Sequence, residues 1–205
     1  ALKTFVAALL GQNIKIIQSE AARLYDVEFR PEDLVIAKDL IKDVPQQTRG
    51  DANELAAAIS KRLRQLDIDY KVEIVDEHGF QCRPSHKAKT LRVSKYVELQ
   101  FHTPEGIAKH EATHIIRAVN GDYNGIEKAE NYLPTEEGLC CLLQDGPASV
   151  GSGSRFQHAL EYIAAYESRK LSFRELYGFL LNHGCSPETA WARGIRHKFG
   201  MCDTS

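Results

Sequence analysis

Two histidines and a glutamate stand within five residues of the sequence, as His110-Glu111-Ala112-Thr113-His114. Residues four apart on a helix share one face, so both histidines can direct an imidazole nitrogen at the same metal ion. Imidazole is a preferred ligand of Zn²⁺. The segment therefore predicts His110 and His114 as two ligands of a zinc site, with one Zn²⁺ expected per chain.

Glu111 is adjacent to His110 and lies off the ligand face, so it is a poor third ligand in this geometry. Its carboxylate can instead accept a proton from the water that the metal activates and later pass that proton to the leaving amine. A purely structural zinc site has no need of such a base. The pattern therefore favours a zinc peptidase with Glu111 as the catalytic residue.

The third metal ligand must come from outside this motif. Longer zinc motifs continue with a glycine and a third histidine, but this sequence has Arg117 and Asn120 at those positions. Glu136 and Glu137 lie near the start of the next predicted helix, at a distance that suits a site of two histidines and one glutamate. Either glutamate could bind, and only one is expected to. The alternative is that both are ordinary acidic residues of a helix N-terminus.

The pattern of apolar residues is mostly helical. The metal-binding helix should begin at Thr103-Pro104, with Thr103 as N-cap, and end near Asn120-Gly121. A polar loop over 120–133 should follow it. Further helices are predicted over residues 1–25, 31–44, 51–66, 135–144, 154–170, 172–183 and 186–197.

Two segments alternate apolar and polar residues and are predicted as strands. The first is short, around residues 72–74, and the second runs over 91–101. The second strand should be half-buried and at a sheet edge, where peptidases with this motif hold the substrate backbone. The predicted fold class is α+β, mainly α: a zincin-like metallopeptidase with a small sheet and a helical second half.

Three stretches of the sequence resemble one family. They are residues 110–117 with 120–121, residues 135–139, and residues 171–176 with 203–205 at the end of the sequence. Together they are similar to the tyrosine/phenylalanine carboxypeptidase domain family, whose zinc motif is of the HExxH gluzincin type. This family includes the microtubule-associated tyrosine carboxypeptidases, which remove the C-terminal tyrosine of α-tubulin. The resemblance spans roughly residues 50–205, and its most specific part is the pairing of the metal motif with residues 135–139.

The resemblance implies a ligand set and an activity. Zinc would be bound by His110, His114 and a glutamate of residues 135–139. Family members vary the residue before the Glu-Gly-Leu unit, which points to Glu137 as the ligand and gives Glu136 a supporting role. The implied activity is that of a zinc metallocarboxypeptidase that removes a C-terminal Tyr or Phe from a peptide or protein tail, with the α-tubulin tail as a candidate.

A carboxypeptidase needs a cation for the terminal carboxylate of its substrate, ideally an arginine. Arg117 is one candidate, a turn beyond His114. Arg196 and Lys198 match a basic cluster that the family carries before its Asp-Thr-Ser segment. The alternative for each of the three is a solvated surface charge.

A run of basic side chains between residues 79 and 97 contains no acid; we call it the basic strip, Arg83, His86, Lys87, Lys89, Arg92 and Lys95. It could steer an acidic, tubulin-like tail towards the predicted edge strand. The alternative is a charged surface loop.

The bulk composition excludes several classes of protein. Of 205 residues, 43% are hydrophobic and 26% charged, and the net charge of −2 does not suggest a nucleic-acid partner. No apolar run approaches the ~18 residues of a membrane-spanning helix, so no membrane partner is expected. Five cysteines without a CxxC pair argue against a disulfide framework and against a cysteine zinc site, and favour a cytoplasmic protein. The family resemblance implies that the protein is microtubule-associated if it is eukaryotic.

We expect one catalytic domain over residues 1–205, with 1–50 as a helical N-terminal extension. The family continues beyond its Asp-Thr-Ser segment, which leaves open whether this sequence is truncated at its C-terminus. Two alternatives to a carboxypeptidase stay open. One is an endopeptidase or aminopeptidase of the same metal class, and the other is a non-catalytic module in which zinc is structural, against which Glu111 argues.

Overall fold

In the computed structural model, the described part of the chain comprises residues 7, 11, 13, 15–17, 19, 28–46, 50–124, 132–146 and 153–198, without the side chains of 122–124 and 134. The chain divides into two compact units. The sheet unit is Pro45–Gln157, and the helical unit combines Ala1–Val44 with His158–Ser205. The helix predicted over 1–25 falls largely outside the described residues.

The elements are mainly helices, with one small sheet, so the fold class is α+β and mainly α. The described helices are α1 (Pro31–Leu40), α2 (Ala52–Gln65), α3 (Pro104–Asn124), α4 (Tyr132–Asp145), α5 (Gly153–Glu167), α6 (Phe173–Asn182) and α7 (Pro187–Lys198). The strands are β1 (Lys71–Val75), β2 (Cys82–Ser85) and β3 (Thr90–Ser94). No helix of the described residues combines the length and the apolarity that crossing a bilayer requires.

The sheet has the order β1-β3-β2, with β1 parallel and β2 antiparallel to β3. The prediction of one edge strand over 91–101 is therefore wrong in two respects. β3 is the central strand, and it ends at Ser94. A turn follows, because the N–H of Val97 bonds the Ser94 carbonyl at 3.2 Å and the N–H of Tyr96 bonds the Ser94 hydroxyl at 3.2 Å.

The burial pattern of that segment nevertheless follows its sequence. Val97, Leu99 and Phe101 are buried beyond the strand end. Alternation of apolar side chains requires only an extended backbone with one face against the core. It does not require a neighbouring strand, so the pattern predicted burial correctly and strand pairing incorrectly.

Helix α3 carries His110, Glu111 and His114 of the predicted metal motif and is anchored in the core of the sheet unit. The hydroxyl of Thr103 accepts the N–H of Gly106 at 3.1 Å, which confirms Thr103 as the N-terminal capping residue. One face of the helix packs into a cluster with α2 and β3 through Ile107, Ala112 and Ile115. Burial of this apolar face positions the adjacent face, which carries the two histidines, against α4.

The predicted loop over 120–133 is shorter in the structure, because α3 continues to Asn124 and α4 already begins at Tyr132. A glycine ends a helix when it adopts a positive φ. Gly121 does not do so; among the described residues, the positive-φ glycines are Gly79, Gly146 and Gly184. Gly146, with φ of 59°, follows the end of α4 instead.

The helical unit contains α1, α6, α7 and most of α5. Its core includes the fully buried side chains of Leu160, Leu176 and Leu180. A capping box between Ser172 and Glu175 begins α6. The helices predicted over 154–170, 172–183 and 186–197 are thus confirmed to within a few residues.

Candidate metal centre

The packing of α3 against α4 brings together three atoms that could bind a metal ion. The Nε2 atoms of His110 and His114 are 3.2 Å apart. Oε2 of Glu137 lies 3.4 Å from Nε2 of His110 and 3.5 Å from Nε2 of His114. Ligands bound to Zn²⁺ at about 2.0–2.1 Å in tetrahedral geometry are separated by about 3.3 Å. We call these three atoms the ligand triangle; two imidazoles and a carboxylate at this spacing fit zinc.

Cys140 is a further candidate ligand, which the sequence did not indicate. Its buried sulfur and one ring nitrogen from each of His110 and His114 all lie within 4.8 Å of one another, and this group could hold a metal ion. Burial raises the pKa of the Cys140 thiol to about 12, and the charges of Glu137 and Glu136 add to the rise. The absence of a CxxC pair was therefore weak evidence against a cysteine ligand, because a single cysteine can join two histidines through helix packing.

Glu136 lies behind His114 rather than on the ligand triangle. Its Oε1 is 2.6 Å from Nδ1 of His114, and its side chain is 7% exposed. A carboxylate at Nδ1 keeps the proton on that nitrogen and leaves the lone pair of Nε2 for a metal. The two glutamates that the sequence left as alternatives thus face different nitrogens of the same imidazole.

Arg117, predicted to bind the substrate carboxylate, forms an ion pair through its Nε with Glu136. Its guanidinium also lies over the ring of Tyr132, 4.8 Å from the ring centre. Both contacts hold Arg117 between α3 and α4. The positive charge of Arg117 compensates the buried Glu136 carboxylate, since an unpaired buried charge is unfavourable.

Glu111 extends from α3 towards Cys82 of β2, and its side chain is half-buried. Burial raises the pKa of the Glu111 carboxyl to about 7, against the opposing charge of His114, while the charge of Glu137 raises it further. The thiol of Cys82, on β2, donates a hydrogen bond to Glu111. A carboxyl group that titrates near neutral pH is suited to accept and return a proton.

The other two predicted cations belong to the helical unit, at the C-terminal end of α7. Nζ of Lys198 donates hydrogen bonds to the carbonyls of Ser168 at 3.1 Å and Leu171 at 2.6 Å. These bonds satisfy carbonyl groups between α5 and α6, which is a structural role for Lys198. Arg196 is exposed to solvent.

The basic strip is partly neutralised by acidic residues just before it. Arg83 and Arg92 pair with the two carboxylate oxygens of Glu77 at 3.5 and 3.4 Å. Lys95 pairs with Asp76. Two further exposed lysines of the strip, Lys87 and Lys89, lie in the turn between β2 and β3.

Comparison with known proteins indicates a distant relationship. No family model matches the sequence. The microtubule-associated tyrosine carboxypeptidase 1 of Homo sapiens is 31% identical over 110 residues, which cover 49% of this chain and 23% of that protein. The chain therefore spans less than a quarter of the length of this relative. The similarity hints at a carboxypeptidase, and so at a hydrolase.

Proposed function

We propose that the protein is a zinc-dependent carboxypeptidase that removes a C-terminal Tyr or Phe. The observation that carries the proposal is the ligand triangle of His110, His114 and Glu137 with the Glu111 carboxyl beside it. The aromatic preference is supported by the family resemblance and by the relative's being a tyrosine carboxypeptidase. A zincin-like fold follows from the same proposal.

The proposed reaction assigns metal binding to three residues and proton transfer to a fourth. His110, His114 and Glu137 would hold the zinc, which supplies polarisation of the scissile carbonyl and a lowered pKa for water when bound. Glu111 accepts a proton from the attacking water at its carboxylate and returns it to the leaving amine. A carboxyl group with a pKa near neutral can perform both halves of this transfer.

The substrate backbone should lie along β2. Cys82 of β2 contacts Glu111, and β2 is at an edge of the sheet, whereas β3 is central. An edge strand offers unpaired backbone groups to an extended peptide. Pro84 within β2 suits an edge position because it has no N–H to donate.

The terminal carboxylate needs a cation, for which Arg117, Arg196 and Lys198 are the candidates. We favour Arg117, because it belongs to the same unit as Glu111 and already contacts Glu136 beside His114. Arginine has five N–H donors, so one contact with Glu136 does not exhaust them. The exposed Lys87 and Lys89 could attract an acidic tail such as that of α-tubulin. A cytoplasmic location is part of the proposal, because it is the location that a tubulin-tail substrate requires.

The buried sulfur of Cys140 favours a second candidate function. If Cys140 joined His110, His114 and Glu137, four protein ligands would close the site. A closed four-ligand zinc site is structural. The protein would then be a non-catalytic zinc module.

Cobalt substitution separates the two candidates. A bound thiolate gives Co²⁺ an intense sulfur-to-metal absorption band, whereas two imidazoles and a carboxylate do not. We expect no such band, and we expect Cys140→Ser to retain zinc while Glu137→Gln loses it. A strong band that disappears in Cys140→Ser would favour the structural site.

The direct test is metal content followed by mass spectrometry of peptides that end in Tyr, Phe, Ala or Lys. We expect about one zinc per chain and loss of a single residue from the peptides ending in Tyr or Phe. The matched control is Glu111→Gln, which should keep zinc and lose activity by about 10²–10⁴-fold. Internal cleavage or release of N-terminal residues would instead indicate an endopeptidase or an aminopeptidase.

A further inference from the structure

A buried chain of polar side chains lies behind His110. Oε1 of Gln144, on α4, is 2.9 Å from Nδ1 of His110. Nε2 of the same amide lies 2.7 Å from the hydroxyl of Ser154 and 2.8 Å from Nδ1 of His102. The Ser154 hydroxyl and Nδ1 of His102 are themselves 2.9 Å apart. Gln144 and Ser154 are each 8% exposed, so these polar groups satisfy one another away from bulk water.

We propose that Gln144 is a positioning residue of the metal centre, which holds His110 in the tautomer that presents a lone pair at Nε2. The inference rests on the proposed zinc site. A side-chain amide has one accepting end and one donating end. With its donating end on Ser154 and His102, Gln144 offers only its oxygen to His110. The ring proton of His110 therefore resides on Nδ1, and Nε2, which is its atom in the ligand triangle, carries no proton.

The reversed amide would produce the opposite state. Its NH₂ group would face Nδ1 of His110, which would then have to accept a hydrogen bond and carry its proton on Nε2. A proton on Nε2 would occupy the lone pair that the metal needs and so block metal binding. In the structure the NH₂ group of Gln144 lies against Ser154 and His102 and its oxygen against His110, and the role proposed for Gln144 is to transmit this orientation to His110.

Two glycines, Gly106 and Gly153, allow the backbone to pass close to the side chains around Gln144. A side chain at Gly106 would begin 3.4 Å from Cγ of Gln144 and 3.1 Å from the Thr103 hydroxyl, so the first turn of α3 lies directly against Gln144. A side chain at Gly153 would collide with the carbonyl oxygen of Phe101. Because Gly153 lies so close to Phe101, their following residues, Ser154 and His102, also come into contact.

The two histidine ligands are therefore held by chemically different partners. His114 donates to a carboxylate, Glu136, which fixes the tautomer and also increases the basicity of the ring. His110 donates to a neutral amide, which fixes the tautomer and adds no charge. We expect loss of Gln144 to weaken the metal site through orientation alone.

The test is Gln144→Met, which has a similar size and no hydrogen bonds at its end. Two quantities are measured: the zinc dissociation constant, by competition with a chelator, and the ring tautomer of His110 in the metal-free protein, by long-range ¹H–¹⁵N NMR. We expect about 10–100-fold weaker zinc binding and a shift of His110 from the Nδ1–H form towards a mixture. The matched control is Leu143→Met, one residue away on α4, which should change neither quantity.

Two further variants keep the inference testable if Gln144→Met does not fold. Gln144→Glu retains an acceptor for His110, so it should keep the tautomer and bind zinc at least as tightly as the wild type, because a carboxylate also increases the basicity of the ring. Ser154→Ala removes one of the two groups that orient the amide and should give a smaller change in the same direction. An unchanged His110 tautomer in folded Gln144→Met or in Ser154→Ala would overturn the proposal. Because the tautomer is read without metal, failure of the wild-type protein to bind zinc would count against the proposed function and not against this role of Gln144.

Discussion

Each of the two units contains a shielded glutamate that bridges a histidine and an arginine of a neighbouring helix. In the sheet unit, Glu136 of α4 contacts His114 and Arg117, three residues apart on α3. The carboxylate meets the histidine at Nδ1, the ring nitrogen nearer the backbone. The far nitrogen, Nε2, then points away from the glutamate towards His110.

In the helical unit, Glu161 of α5 contacts His197 at 2.7 Å and Arg193 at 2.9 Å, both on α7. Here the carboxylate meets the histidine at Nε2. The far nitrogen of His197 is thus already occupied by its contact with Glu161. Side-chain exposure is 29% for Glu161 and 7% for Glu136.

The comparison shows that a histidine, a glutamate and an arginine do not by themselves form a reactive site. Within the described residues, the group that could hold a metal includes His114 and does not include His197. The difference lies in which nitrogen the glutamate uses and in the second histidine four residues before His114. We interpret the triad of Glu161 as a link between α5 and α7, and the triad of Glu136 as support for a ligand.

Removal of the histidine should give the largest difference between the two triads. His114→Ala removes one of three ligands, about a third of the binding free energy of a zinc site, so we expect on the order of 10³-fold weaker zinc binding. His197→Ala should leave the zinc affinity unchanged. Chelator competition on both variants measures this, and equal losses would contradict the assignment of the site to the sheet unit.

Neutralising the glutamates should give the next largest difference. Glu136→Gln is expected to weaken zinc binding about 10–100-fold, because it removes the carboxylate that orients His114. Glu161→Gln provides the matched control, since its triad has the same composition and no ligand. If the two variants bound zinc equally well, the supporting role of Glu136 would be wrong.

The free energy of unfolding of the helical unit should depend more on the Glu161 triad than on the Glu136 triad, which is the reverse of the order expected for zinc binding. Trp191 is the single tryptophan of the chain and packs on Phe173 in the helical unit, with ring centres 5.0 Å apart. Its fluorescence therefore reports unfolding of that unit. Glu161→Gln should lower the free energy of unfolding by about 1–2 kcal/mol, because it weakens charge-assisted hydrogen bonds to Arg193 and His197. A urea titration followed at Trp191 measures the change, and Glu136→Gln should affect this signal less.

The smallest expected effect is a pH dependence of the Glu161 triad. Burial alone would raise the pKa of Glu161, but the hydrogen bond from His197 and the charge of Arg193 outweigh burial and lower it below its ordinary value of 4.5. A lowered folded-state pKa contributes stability above pH ~4.5 that is lost as the pH falls through the folded-state value. The stability difference between wild type and Glu161→Gln should therefore shrink between pH 6 and pH 3. A difference that stays constant over this range would indicate that the contribution of Glu161 does not depend on its charge.

Local signals in the sequence predicted most of the helices. The capping residue Thr103 and the proline at the start of α3 act within one turn, so their effect could be predicted without the rest of the chain. The spacing of His110 and His114 placed both on one helical face for the same reason. The end of β3 at Ser94 could not be predicted in this way, because it depends on which backbone groups find a partner strand.

The sequence by itself determined that His110 and His114 share one helical face with Glu111 beside them, and it determined the α+β class. These depend on helical periodicity and on short-range capping, which involve residues a few positions apart. Only the tertiary structure decided which glutamate faces Nε2 and which faces Nδ1 of His114, and only it brought Cys140 and Gln144 to the histidines. Those contacts join α3 to α4 across a gap in sequence, and their geometry follows from how the two helices pack.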